Sequence, residues 1–491
     1  MLTELRRHRD RAPDATAVHA VTPVGCALTS WTELYDDVLA ALAWASERPA
    51  GAPVVVILDG SAAGIATLFG LSGAGLDVLL LEEQSSYLAD PESPVHRAGC
   101  TTVVGPAGLG TAVSEPFTYL SYPDCRSAAS TASTTGRTEG DVLQLTSGST
   151  GEPKLARQPF RNLVRGGRTY RLVFGLGESD AVLVPVPLAH SFGLVGGAFA
   201  ALVAGARLLT MGRFTIRQLV DLIESGATAM LGTPLVYQLL TPVLVTRRPT
   251  SRLRVALSSG SPLDTGLAAA VRRALGVPVR QVYGSTETGL IAYQPESAGR
   301  WPDDAVGVAA PGVQVRIEPE PGGVAGAPGQ LLVRTPTLFR GYLDPTDPAG
   351  AGRPVDGFYR TGDLATIDQH GLIRLAGRTS GFVNIGGRKV NPSRIERIIA
   401  EHPGVREVVV YGVADRGEEQ VHAAVVLDAS TRVADVMAFC RSRGLRPYEI
   451  PRRLHPLARL PRNSMGKVDR QRVAALAGQP AGADPTRAEA R

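Results

Sequence analysis

Five short segments of this 491-residue chain combine residue types that handle phosphate, sugar and metal. Leu145–Lys154 reads LTSGSTGEPK, in which Thr146, Ser147, Ser149 and Thr150 interleave with Gly148 and Gly151 before Lys154. Glycine lets backbone N–H groups approach phosphate oxygens, while hydroxyls and a lysine add donors and charge. The pattern is not G-x-x-x-x-G-K-[ST], because Pro153 precedes Lys154 and Leu155 follows it. Tyr283–Gly289 reads YGSTETG: Tyr283 and Gly284 open a turn in which Glu287 stands among Ser285, Thr286 and Thr288. A carboxylate beside hydroxyls suits Mg2+ held together with a phosphate, hard oxygen ligands for a hard cation. YRTGDL places Asp363 after a glycine turn, where it can accept both hydroxyls of a ribose or simply cap the turn. Gly377-Arg378 and then IGGRKV, containing Gly387 and Lys389, give a further glycine turn flanked by cations, and PRNSMGKVDR presents Lys467 in a turn.

Only three of the 51 Lys+Arg residues are lysines, and all three lie in these segments. Arginine replaces lysine as a surface charge, but not where a compact charge must fit between phosphates. The net charge of +5 gives no reason to expect a nucleic-acid partner. The residues from Thr379 onward carry 19 Lys+Arg against 12 Asp+Glu, so this end suits an acidic or phosphorylated partner or is simply an Arg-rich solvated surface. Cys26, Cys100, Cys125 and Cys440 form no Cys-x-x-Cys pair and suggest neither a zinc site nor a disulfide framework. The charged N-terminus is followed by no apolar signal region, and Pro185, Pro187 and His190 interrupt the charge-free stretch 181–206. The expectation is a cytoplasmic protein without a membrane span.

The elements that must position the segments follow from periodicity. Trp31–Trp44 has apolar residues at helical spacing, while Pro53–Leu58 and Asp77–Leu81 are continuous Val/Leu runs, as in parallel strands covered on both faces. Residues 126–140 read as a polar link, and 181–206 as a buried strand running into a buried helix. From Gly307 to Leu375 short strands alternate with Gly/Pro turns. Beyond Gly377, Asn391-Pro392 marks a helix start as N-cap and first helical position. Val408–Val413 and Val421–Leu427 then read as strands, and Val433–Arg443 as a helix.

In order and spacing the five segments resemble the adenylate-forming superfamily, in its acyl- and aryl-CoA synthetase branch, over residues 10–475. That resemblance implies a large α/β N-terminal domain of two α/β/α subdomains plus a distorted β-barrel, residues 1–376. It also implies a small mobile α+β domain, residues 377–478, and leaves 479–491 as a tail. Its members join a carboxylic acid to AMP from MgATP, then pass the acyl group to a thiol such as coenzyme A. By motif match Thr146–Lys154 cradles the β- and γ-phosphates, Thr286 meets the α-phosphate and Glu287 holds Mg2+. Asp363 binds the ribose with Arg378, and Ser259, Gly260 and Ser261 lie along adenine. Lys467 bridges carboxylate and α-phosphate, and Gly387, beside Lys389, lines the thiol's tunnel.

The same resemblance places His190, in PLAHSFGL, at the border of the carboxylate site, or else as a satisfied histidine at a strand–helix junction. Amino-acid-activating relatives carry an Asp in this segment; LAHSFGLV has none, and an unpaired buried ammonium is costly. The expected substrate is therefore a carboxylic acid without an α-amino group. Walls at 190–197, 232–237, 258–261 and 282–288, with Gly193, Gly196, Gly197 and Ala198, leave room for a bulky hydrophobic group of a natural-product pathway. Ser380-Gly381 replaces the usual Asp or Lys hinge and makes a looser pivot. A carrier-protein phosphopantetheine as acceptor, an enzyme of one half-reaction only, and a homodimer stay open.

Overall fold

The structure, a computed structural model, describes residues 1–22, 25–49, 51–110, 113, 115–122, 138–147, 153–247, 249–296, 301–302, 304–319, 326–343, 354–378, 383–385, 388–390, 392–415, 418–443, 445–463 and 466–477. Two sheets build the large domain. In the seven-stranded one, Val54–Ile57 and Val78–Leu81 are parallel neighbours with every residue buried. Successive side chains of a strand point to opposite faces. Val54, Val56, Val78 and Leu80 accordingly enter the central core, while Val55, Ile57, Leu79 and Leu81 join Val95, Cys100, Val103 and Phe117 on the other face. Both faces are covered, which is why these strands are uninterrupted apolar runs.

The thirteen-stranded sheet has a parallel centre, in the order Thr16–Thr22, Arg207–Met211, Ala181–Val184, Ala229–Gly232, Val255–Ser258 and Val279–Ser285. The β-rich segment continues this sheet through antiparallel strands Gly289–Tyr293, Ala305–Ala309, Ile373–Arg378, Tyr359–Ile367, Gly329–Arg334 and Gln314–Glu318. Helices Ala62–Gly73, Phe160–Phe174 and Phe192–Phe199 contribute Phe69, Phe160 and Phe199 to one fully buried group, with ring centroids 5.0–5.8 Å apart. Aromatic pairs in this range favour tilted or edge-to-face contact.

The stretch 181–206 is the expected strand and helix: Ala181–Val184, then π-helical Phe192–Phe199 and α-helical Ala200–Ala204. Its small residues, however, serve packing rather than opening space for a substrate. A Cβ on Gly193 would lie 2.6 Å from the Pro187 carbonyl oxygen, on Gly196 2.9 Å from the Tyr170 ring, and on Gly197 2.6 Å from Val184. These glycines let the helix approach its neighbours closely, so the expectation that they make room for a bulky acyl group is corrected.

The small domain is a three-stranded sheet, Val405–Asp415 antiparallel to Glu418–Leu427 and the latter parallel to Arg453–Pro456. Helices Pro392–Ala400 and Val433–Ser442 cover one face. Leu460 and Val473, on helix Arg470–Ala477, cover the other. Pro392 opens its helix as expected, while Asn391 and most of the polar link lie outside the described residues. Strand pairing in the large sheet runs past the boundary expected at 376/377, with Leu364 opposite Gly377 and Asp363 opposite Arg378. Among the described residues no helix is long and apolar enough to cross a membrane. Phe199→Ala is expected to cost about 3–5 kcal/mol. This should appear as an earlier thermal transition of the large domain, whereas Leu172→Ala, at a residue 71% exposed, leaves the transition in place.

Candidate active site

Two antiparallel strands, Tyr359–Ile367 and Ile373–Arg378, set Asp363 opposite Arg378. One carboxylate oxygen accepts a hydrogen bond from Arg378 Nε at 2.7 Å, and the other accepts one from the Tyr283 hydroxyl at 2.5 Å. The Asp363 charge holds the Arg378 guanidinium above its ordinary value. Burial, and then the Asp363 charge, pushes the Tyr283 hydroxyl well up, so it remains a proton donor. A carboxylate oxygen has two lone pairs. Asp363 therefore keeps acceptor capacity on both oxygens for a diol while its own orientation is fixed.

Tyr283 belongs to a hairpin, Val279–Ser285 against Gly289–Tyr293, that carries Thr286 and Glu287 at its tip. The turn is tight: a Cβ on Gly284 would lie 2.2 Å from the Gly289 carbonyl oxygen. Glu287 is buried, and its carboxylate accepts from the Tyr342 hydroxyl at 2.8 Å. The Phe339 N–H donates to its carbonyl at 2.8 Å. Burial, then the Glu287 charge, raises the Tyr342 and Tyr359 hydroxyls. Gln158 Nε2 donates to the Thr286 carbonyl, and the Ser285 and Thr288 hydroxyls are 3.0 Å apart. Among the described residues no cluster of three or more His, Cys, Asp or Glu is placed to hold a metal. A single buried carboxylate among hydroxyls fits Mg2+, which keeps several waters and is held by one or two carboxylates plus substrate phosphates.

The strands Asp141–Ser147 and Pro153–Pro159 pair with Thr146 opposite Lys154, so both ends of the hydroxyl–glycine loop meet. Lys154 Nζ lies 5.2 Å from the centre of the Tyr342 ring, on the residue that holds Glu287. Gly148, Ser149, Thr150 and Gly151 lie outside the described residues, and of Ser147 only the backbone is described. Ser259, Gly260 and Ser261 follow strand Val255–Ser258, and the turn requires φ +93° at Gly260. His190 is found with Glu82, its Nε2 2.7 Å from the carboxylate. Glu82 belongs to no motif; its one sequence signal is its place directly after the strand VLLL, at a carboxyl end where such sheets bind ligands.

Lys467 arrives from the small domain. Its N–H donates to Asn463 Oδ1 and its carbonyl accepts from the Asn463 N–H, both at 2.9 Å, which closes the turn. Gly466, at φ +74°, leaves room for Leu235 of the large domain, whose side chain would lie 2.6 Å from a Cβ there. The residue remains accessible, yet desolvation and then Arg378 lower its ammonium from the ordinary value, with Asp363 opposing. Lys467 thus stands within electrostatic reach of the Asp363–Arg378 pair. Gly387 and the Ser380-Gly381 pivot lie outside the described residues, and of Lys389, paired with Asn384, only the backbone is described. With three lysines in the chain, competitive trace acetylation across pH can follow each amine. Lys467 is expected to titrate below the ordinary value of 10.5, and Asp363→Asn to lower it further. Titration at or above 10.5 would contradict this placement.

The AMP-binding enzyme family matches residues 5–343, and the AMP-binding enzyme C-terminal domain matches residues 394–467. An oxalate–CoA ligase of Arabidopsis thaliana is 28% identical over 389 residues, 77% of this chain and 72% of that protein. A medium-chain fatty-acid–CoA ligase of Escherichia coli is 30% identical over 352 residues, 69% of this chain and 62% of that protein. The crystal structure of ATP-bound MatB from Rhodopseudomonas palustris superposes with a TM-score of 0.81 at 26% identity, over 97% of this chain and 98% of that one. The chain belongs to the AMP-binding enzymes of the adenylate-forming superfamily, in the acyl- and aryl-CoA synthetase branch of AMP-forming acid–thiol ligases.

Proposed function

We propose that this enzyme activates a hydrophobic carboxylic acid without an α-amino group as its acyl-AMP, and then transfers the acyl group to coenzyme A. The observation that carries the reading is the Asp363 carboxylate held by Arg378 and Tyr283 in the large domain, with the turn that bears Lys467 seated against Leu235 of the same domain. In the first step a carboxylate oxygen bonds to the α-phosphorus of ATP and the bond to the bridging oxygen breaks, releasing pyrophosphate. Two anions must meet, and the Lys467 ammonium between them offsets the accumulating charge; preorganised stabilisation of this kind is worth about 3–4 kcal/mol. Asp363 takes the ribose hydroxyls with its remaining lone pairs, beside Arg378. The segment Ser259–Ser261 lies along adenine, and the loop from Thr146 to Lys154 receives the terminal phosphates. Thr286 meets the α-phosphate. Glu287, together with phosphate oxygens, would hold Mg2+, which would supply further charge neutralisation.

In the second step the thiol sulfur bonds to the acyl carbon, the carbon–oxygen bond to AMP breaks, and AMP leaves. Gly387 keeps the thiol's path open, and Ser380-Gly381 is the pivot between steps. The segment around His190 offers no acid to an α-ammonium, and Glu82 is already engaged with His190, which supports the restriction on the acid. ATP and coenzyme A as cosubstrates support the expectation of a cytoplasmic enzyme.

Acid-dependent pyrophosphate release, run across a panel of acids with coenzyme A, a phosphopantetheinyl carrier or neither, tests this reading. Lys467→Ala is expected to cut pyrophosphate release at least about a hundredfold and to spare thioester formation from synthetic acyl-AMP. Gly387→Leu should do the reverse. Undiminished adenylation by Lys467→Ala would overturn the assignment, and thioester appearing only on the carrier would change the acceptor.

A further inference from the structure

We propose that Glu82 is a positioning residue for the acyl-activating reaction, holding the His190 imidazole in one orientation and one arrangement of its ring proton at the acid site. The inference rests on the reading of His190 as the residue bordering the carboxylate.

Glu82 is the first residue beyond Val78–Leu81, and that strand runs parallel to Asp141–Ser147, which leads into the phosphate loop. His190 reaches the same place from the turn before the Phe192–Phe199 helix. The residues on either side of it are both held by Gln144, which is 1% exposed. Gln144 Nε2 donates to the Ala189 carbonyl at 2.8 Å, and its Oε1 accepts from the Ser191 hydroxyl at 2.8 Å. The freedom left to His190 is rotation of its side chain, and the contact of 2.7 Å between Nε2 and Glu82 restrains that rotation.

The pair is not sealed into a core. The His190 and Glu82 side chains are 31% and 27% exposed, as expected of groups facing a ligand site. Tyr87, in the turn Ser86–Leu88, has its hydroxyl raised by burial and then by Asp469, Asp90 and Glu82. Tyr87 is thus within electrostatic reach of Glu82 and of Asp469, two residues from Lys467.

A carboxylate that accepts from Nε2–H decides which ring nitrogen carries a proton and directs any contact with the acid through Nδ1 or the ring edge. Without it one restraint on the rotamer and tautomer of the imidazole is lost, and fewer bound acids sit in a reactive pose. The loss belongs in kcat rather than in ATP binding. Glu82→Gln keeps an acceptor of the same length, whereas Glu82→Leu removes it.

The test measures acid-dependent pyrophosphate release by the full chain for Glu82→Gln, Glu82→Leu, His190→Ala and the Glu82→Leu/His190→Ala double variant, alongside 15N spectra of labelled histidines. Glu82→Leu is expected to lower kcat at least about tenfold, the scale of losing a group that orients a working imidazole. KM for ATP should stay unchanged, Glu82→Gln should restore most of the rate, and the double variant should be no slower than His190→Ala. The His190 ring nitrogen signals should shift in Glu82→Leu and not in Glu82→Gln. Wild-type kcat in Glu82→Leu, or losses that multiply in the double variant, would overturn the proposal. Should both substitutions at 82 unfold the chain, unshifted His190 signals on Asp replacement would do so. Full activity of His190→Ala would instead overturn the acid-site reading on which the proposal rests.

Discussion

The Asp363 carboxylate is the interaction on which the rest of the site depends. It ties together three strands: the one that bears Tyr283, 80 residues away in sequence, its own, and the neighbouring one that ends at Arg378. A buried carboxylate is stable when it is paired and hydrogen-bonded, and here both conditions are met from different strands. The pairing has a second effect. Lys467, its ammonium lowered first by desolvation, also feels Arg378 and, in opposition, Asp363, so a lysine delivered by the small domain meets charges already paired in the large one.

Around this carboxylate the architecture divides the work. Parallel strands buried on both faces give rigid supports, and the loops at their carboxyl ends carry the groups that meet ligand. The hairpin around Glu287 and the strand pair ending at Thr146 and Lys154 are locked together by Gln158 and by Tyr342. Tyr342 enters through the short strand Gly341–Tyr342, which pairs with Pro153–Pro159 and joins the β-rich segment to the seven-stranded sheet. The small domain reaches this assembly through the turn at Gly466, where the absence of a side chain lets it press on Leu235.

The parts of this arrangement visible in the sequence are those with local chemical signatures. Alternating hydroxyls and glycines, a lone acid in a Thr-Glu-Thr turn, and three lysines in a chain otherwise served by arginine all announce themselves by residue type. The buried strands do so through their apolar runs. Glu82 does not, because nothing beside it in sequence marks it and only the parallel pairing of two strands brings it to His190. Gln158 and Tyr342 were missed for the same reason. Gly193, Gly196 and Gly197 were visible but ambiguous: a glycine signals that something comes close, and here the neighbours are Pro187, Tyr170 and Val184. Gly377 looks like a break in the sequence, while strand pairing carries through it to Arg378.

The central claim is that Asp363, braced by Arg378 and Tyr283, is the group that takes the ribose. Equilibrium titration of Asp363→Ala with ATP and, separately, with tripolyphosphate tests it most directly. Loss of one charge-assisted contact of about 1.5–3 kcal/mol predicts ATP binding weakened at least about tenfold, with tripolyphosphate binding unchanged. ATP binding as tight as in the parent protein would contradict the account.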